Sequence, residues 1–148
     1  MPTTAKKFFT PEQQDDILKA VQNAELNTSG EIRVHIENQC KGDVLERSAY
    51  LFKKLGMIQT EQRNGVLFYL AIEHRKFAVL GDVGIDAVIP ENFWDDVKNI
   101  MLENFKMGLF TEGLTKAITL SGIQLKEHFP LQSNDINELP DDVSFGDN

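Results

Sequence analysis

Residues 80–86 read LGDVGID, an apolar run that ends in Asp82 and Asp86, with Gly81 and Gly84 set among them. Glycine frees the backbone to turn and approach closely, so the two carboxylates could be aimed at one point. Hard cations such as Ca²⁺ and Mg²⁺ take oxygen ligands of this kind. A plain turn accounts for the same letters, because Asp and Gly are the commonest turn formers and Asp86 could cap the turn before Pro90. No EF-hand loop pattern is present. The decision rests on which other segments the fold brings to these acids.

The positioning elements are readable from periodicity. TPEQ at 10–13 carries a capping residue, a proline suited to the first helical turn, and Gln13 to complete a capping box. The helix it starts runs to about Leu26, with Ile17, Leu18, Val21 and Ala24 on one face. EIRVHIE at 31–37 alternates strictly, which predicts a strand near an edge whose Glu31, Arg33, His35 and Glu37 face is wet or lines a site. A second helix is expected over about Val44–Leu55, burying Leu45, Phe52 and Leu55. GVLFYLAI at 65–72 is apolar on both faces and reads as the central strand; a tight EHRK turn makes KFAVLG its hairpin partner. A third helix follows Pro90, with Phe93, Trp94, Val97, Ile100 and Met101 inward, and ends at Gly108. The fourth, about Thr111–Glu127, buries Leu114, Ile118 and Leu125. The order αβαββαα predicts an α/β fold, a three-layer α/β/α sandwich with a small mixed sheet and helices on both faces.

A right-handed crossover makes the strands starting at Glu31 and Gly65 parallel, and the hairpin returns antiparallel. The chain leaving Gly81 therefore arrives beside Asn64. Three segments should converge, 29–31, 62–65 and 81–86, offering Glu31, Asn64, Asp82 and Asp86 as oxygen donors for a metal. His35, His74 and His128 show no ligand-pair spacing for zinc. Trp94, Phe93 and Met101 read as core at their helical spacing.

Composition bounds the rest. The chain has 148 residues, enough for one domain with its own core, and a formal net charge of −8, which argues against a nucleic-acid or anionic-membrane surface. Cys40 is the single cysteine, so no internal disulfide is expected. No apolar run is long enough for a membrane span, and the start of the chain lacks a sustained apolar segment of secretory type; the expectation is a cytoplasmic protein. From Leu131 onward there are five acids and no Lys or Arg, so residues 1–130 are expected to form the domain and 131–148 an acidic, flexible tail that could dock on a basic protein partner.

At these same residues the chain resembles a known family. RNGVLFYLAIEHRKFAVLGDVGID, followed by FW at 93–94, Phe105, Gly113 and HFP at 128–130, is similar to the TPM domain of thylakoid-lumen, photosystem II repair and levamisole-receptor accessory proteins. The resemblance covers roughly Glu12–Pro130 and implies an α/β/α sandwich, with divalent metal at the loops of this end of the sheet. It implies either an accessory or interaction role or acid phosphatase activity. Asn64 and Asp86 fill places where members usually carry an acidic or amide residue and the acid of GLE, while Arg63 stands where many have a further acid. A metal-dependent phosphatase could use Asp82, Asp86 and Asn64 with Arg33 or Arg63 holding phosphate. Cysteine-phosphatase chemistry does not fit: one residue too many separates Cys40 from Arg47, and no His precedes the cysteine. The leading expectation is a TPM-like domain that binds calcium or magnesium and acts as an accessory module; the alternative is a phosphatase of low activity at the same site.

Overall fold

The computed structural model describes residues 5–131 and 143–146. A short helix α1 (Ala5–Phe8) leads into α2 (Pro11–Glu25), whose start is fixed by the expected capping box: Thr10 Oγ1 accepts from Gln13 N at 3.1 Å and Gln13 Oε1 accepts from Thr10 N at 2.9 Å. Then come β1 (Glu31–Glu37), α3 (Val44–Lys54), a 3₁₀ turn (Met57–Gln59), β2 (Gly65–Ala71), β3 (Lys76–Gly81), a one-turn helix α4 (Val83–Asp86), α5 (Phe93–Lys106), α6 (Phe110–His128) and β4 (Val143–Phe145).

The sheet order is β3-β2-β1-β4. β1 and β2 run parallel with Glu31 opposite Gly65, and β2 pairs antiparallel with β3 with Val66 opposite Gly81. Strand alternation divides the core in two. Ile32, Val34, Ile36, Val66, Phe68, Leu70 and Val79 pack against α1, α2, α5 and α6. On the other side Leu67, Tyr69 and Ala71 meet Leu51 and Phe52 of α3 and Met57 of the 3₁₀ turn. The three-layer sandwich with a mixed sheet is therefore the observed architecture. At Gly122 of α6 an added Cβ would lie 2.6 Å from the Ala24 Cβ of α2, so glycine is what lets these two helices close together.

Three expectations change. Val143–Phe145, placed by composition in a structureless tail, form β4, parallel to β1 at Val34–Ile36, with Gly146 N donating to Ile36 O at 2.9 Å. Val143 is buried and Phe145 packs on the main core, so two apolar side chains outweigh the acids around them. Residues 132–142 and 147–148 of the expected tail lie outside the described residues. Leu45 is 51% exposed and Leu51 takes its place inward, because α3 turns its 48, 51 and 52 positions to the sheet. The polar face of β1 is not wet: Glu31, His35 and Glu37 are all buried. Burying it requires partners. Glu37 receives Tyr69 Oη at 2.6 Å and both Arg47 nitrogens, Nε at 3.1 Å and Nη2 closer still, while His35 Nδ1 lies 2.8 Å from Ser144 Oγ. Burial, then the hydrogen bond to Glu37 and its charge, raises the Tyr69 pKa; burial lowers that of His35 against the pull of Glu37. Loss of the Arg47 side chain would leave the buried Glu37 carboxylate with the Tyr69 hydroxyl but without its cation, at a cost of about 3 kcal/mol.

Among the described residues no helix is long and apolar enough to cross a membrane.

Among the described glycines the closest approach to other backbone is at Gly84, where an added Cβ would lie 2.0 Å from Gln62 O and 2.6 Å from Arg63 O. Gly84→Ala is expected to lower stability by about 2–3 kcal/mol, at the upper end of overpacking costs because backbone cannot step aside. Gly42→Ala, with nothing within 4 Å of the new methyl, is the control and is expected to be neutral or slightly stabilising. Urea midpoints of the two variants check both.

Candidate functional site

The first rim segment, 27–31, is pinned to the end of α6. Thr28 Oγ1 donates toward the carbonyls of Leu125 and Phe129 at 2.9 and 2.6 Å and accepts from Gly30 N at 3.1 Å; Ser29 N donates to Phe129 O at 3.0 Å. The second segment, 60–65, turns through Arg63, whose φ of +53° is in the left-handed region. Thr60 holds that turn, its carbonyl accepting from Arg63 N at 3.2 Å and its hydroxyl from Asn64 N at 3.1 Å. The third leaves β3, with Asp82 N donating to Gly65 O at 2.9 Å and Gly84 N to Arg63 O at 2.8 Å. Gln62 Nε2 and Asn64 Nδ2 both donate to Ser29 Oγ at 3.1 Å, joining the first segment to the second. The convergence expected from topology is therefore observed.

The side chains of the rim are partly committed. Asp82 is buried and forms a two-pronged pair with Arg63, Nε to Oδ2 at 2.6 Å and Nη2 to Oδ1 at 2.8 Å. Its Oδ1 also accepts from Val83 N at 2.8 Å, so Asp82 starts helix α4 as its N-cap. Asp86 lies at the end of α4 and accepts from Trp94 Nε1 at 2.8 Å, which gives that partly buried tryptophan a polar role beside its packing one. Desolvation, opposed by the Trp94 hydrogen bond and reinforced by the nearby Asp82 charge, raises the Asp86 pKa. Glu31 is buried at the start of β1. Asn64 is 1% exposed, and its Oδ1 has no hydrogen-bond partner.

A hard cation would find oxygen donors here of the right type, and the unpartnered Asn64 Oδ1 fits one. The carboxylates do not suffice by themselves: among the described residues no three His, Cys, Asp or Glu side chains are grouped so as to hold a metal ion. Such a site would have to draw on Asn64, backbone carbonyls or water as well as Asp82. Of the two arginines read as phosphate ligands, Arg63 is at this rim on Asp82, while Arg33 is further along β1 with Nε 3.3 Å from Ser144 Oγ. Sequence reading missed the Arg63–Asp82 pair. The register was the available signal, since Val66 opposite Gly81 places Arg63 and Asp82 on facing chain ends. Cys40 is buried, with Sγ 3.6 Å from Gly42 O, consistent with an inert thiol.

The raised pKa of Asp86 means that its charged form is disfavoured by the fold. For a carboxylate the penalty is absent below the ordinary value of 3.8 and complete above the raised one. Asp86→Asn keeps an acceptor for Trp94 and is expected to raise the urea midpoint at pH 7, the gain shrinking as pH falls toward 3.8. Denaturation curves of both proteins across that range provide the check.

A model of the TPM domain matches residues 3–122. Among solved structures, the NMR structure of BA42 protein from the psychrophilic bacterium Bizionia argentinensis is 42% identical, covers 95% of this chain and 97% of its own, and superposes with a TM-score of 0.87. The N-terminal domain of a P. gingivalis protein is 16% identical, with 84% and 82% of the two chains covered and a TM-score of 0.67. That of cg2496 protein from Corynebacterium glutamicum is 13% identical, covers 87% and 80%, and has a TM-score of 0.65; these last two show the fold alone. No curated protein of similar sequence was found. With most of its length matched by that domain and a 42% identical structure aligned nearly end to end, this chain belongs to the TPM domain family.

Proposed function

We propose that the chain binds a divalent cation, calcium or magnesium, at the rim where β1 and β2 begin and β3 ends, and that it serves as an accessory or interaction module. The observation that carries this reading is Asn64 Oδ1, a buried acceptor left without a donor at a rim whose three segments also carry Asp82, Asp86 and Glu31. An unsatisfied buried oxygen costs about 1–3 kcal/mol, and a bound ion or its water would remove that cost. Asp82 would supply charge and Asn64 a neutral oxygen, with Asp86 and Glu31 adding negative potential nearby. Few direct carboxylates mean modest affinity and retained water on the ion.

A metal-dependent phosphatase at the same rim is the second reading. It is favoured by Arg63, whose guanidinium already sits on Asp82 and would be within reach of a phosphate held there. Arg33, engaged with Ser144, would join only through a longer substrate.

Titration of the full chain with CaCl₂ or MgCl₂ while following backbone amide shifts tests the first reading. Shifts confined to 29–31, 62–65 and 81–86, lost in Asn64→Ala and Asp82→Asn, are the expected result. Shifts confined to the acidic residues after Leu131, or none at millimolar metal, would overturn it. Adding a generic phosphate monoester separates the readings: turnover that needs metal and disappears in Asp82→Asn would favour the enzyme, and binding without turnover the module.

A further inference from the structure

We infer that Arg63 is an intramolecular competitor for the cation, a tethered guanidinium that holds Asp82 until a divalent ion displaces it. The inference rests on the cation reading above and concerns how that site is regulated.

The argument begins with what can move. The Arg63 backbone is fixed on both sides, its N–H donating to Thr60 O at 3.2 Å and its carbonyl accepting from Gly84 N at 2.8 Å. Its side chain is 45% exposed, whereas that of Asp82 is 4% exposed. The guanidinium can therefore swing into water while the carboxylate cannot follow. Asp82 Oδ1 keeps its bond from Val83 N after Arg63 leaves, so the carboxylate stays aimed as the α4 cap. Oδ2, which has Arg63 Nε at 2.6 Å, becomes the oxygen available to an incoming ion.

Charge then decides the exchange. Arg63 is the cation paired with Asp82 at a rim that also carries Glu31 and Asp86, and a divalent ion replaces one positive charge by two. Because a guanidinium does not lose its proton near neutrality, the competition is unaffected by pH in that range. Wild-type affinity is accordingly the intrinsic affinity of the oxygen set reduced by the hold of Arg63.

Arg63→Gln removes the competitor. With a half-exposed guanidinium the expected gain is about three- to tenfold tighter Ca²⁺ or Mg²⁺ binding, read from amide shifts at 62–65 and 81–86 in the full chain. The variant without metal should melt at a lower temperature than wild type, and a fixed metal concentration should raise its melting temperature by more. Arg63→Lys, which keeps the charge but loses the two-pronged geometry, should fall between them and serves if the glutamine variant does not fold. In the wild type the Arg63 side-chain Nε–H resonance should change with the same midpoint as the Asp82 amide, a signal that a merely structural pair would not give. Equal or weaker binding by the folded variants, or an Nε–H resonance unchanged through saturation, would overturn the inference while leaving the cation reading intact. Absence of binding by wild type and variants alike would remove both.

Discussion

The arrangement of the rim depends on one backbone contact, the approach of Gly84 to the turn at Gln62 and Arg63. With no Cβ at 84, the first turn of α4 presses against two carbonyls, and its N–H donates to one of them. That contact holds Arg63 in a left-handed conformation and aligns its side chain with Asp82, the residue that caps the same turn. The turn before β2 and the turn after β3 are thereby one unit. The glycine between the two aspartates is thus explained by packing of backbone on backbone. The aspartates are explained in part by capping and pairing, whereas the orphaned Asn64 oxygen at the same rim has no such structural account.

The two sides of the sheet are built on different principles. The side under α1, α2, α5 and α6 is apolar and gains from area and close packing, including the contact of Gly122 with Ala24. The side under α3 mixes a small apolar cluster with a network of the buried His35, Glu37 and Tyr69 and the partly exposed Arg47. Such a network adds little net stability over an apolar core but penalises any misplacement of its members, so it fixes the position of α3 over the sheet. Ser144 ties β4 into it through His35 and Arg33. The open edge of β1 is closed by that strand and by Glu25, whose Oε2 accepts from Ile32 N at 2.8 Å.

Much of this was legible before any coordinates. EIRVHIE alternates, GVLFYLA is apolar throughout, and Ile72 with three polar residues joins it to KFAVLG, so strand order and direction for β1, β2 and β3 follow from pattern and crossover handedness. β4 was not legible because three residues are too few to show a period, and their acidic neighbours dominate any window that contains them. The burial of the polar β1 face was hidden because alternation reports which residues share a side and not what covers that side. Tyr69 opposite His35 was the clue, a hydroxyl in an otherwise apolar strand that needed an acceptor such as Glu37.

Convergence of the rim was foreseeable from topology, but the commitments of its side chains were not. Sequence places Asp82 at the same rim as Asn64, whereas the difference between a metal ligand and a salt-bridged cap is a matter of rotamer and of a charged neighbour. An aspartate that caps a helix, pairs with an arginine and stays buried has a structural reason to exist. The capping bond from Val83 leaves acceptor positions on that carboxylate, whereas the Arg63 pair occupies both of its oxygens and is the part of the arrangement that an incoming cation would have to displace. The same pair that stabilises the rim without metal presets the direction of the carboxylate, so an ion arriving there would meet an oxygen already in place and would need only to displace a half-exposed side chain.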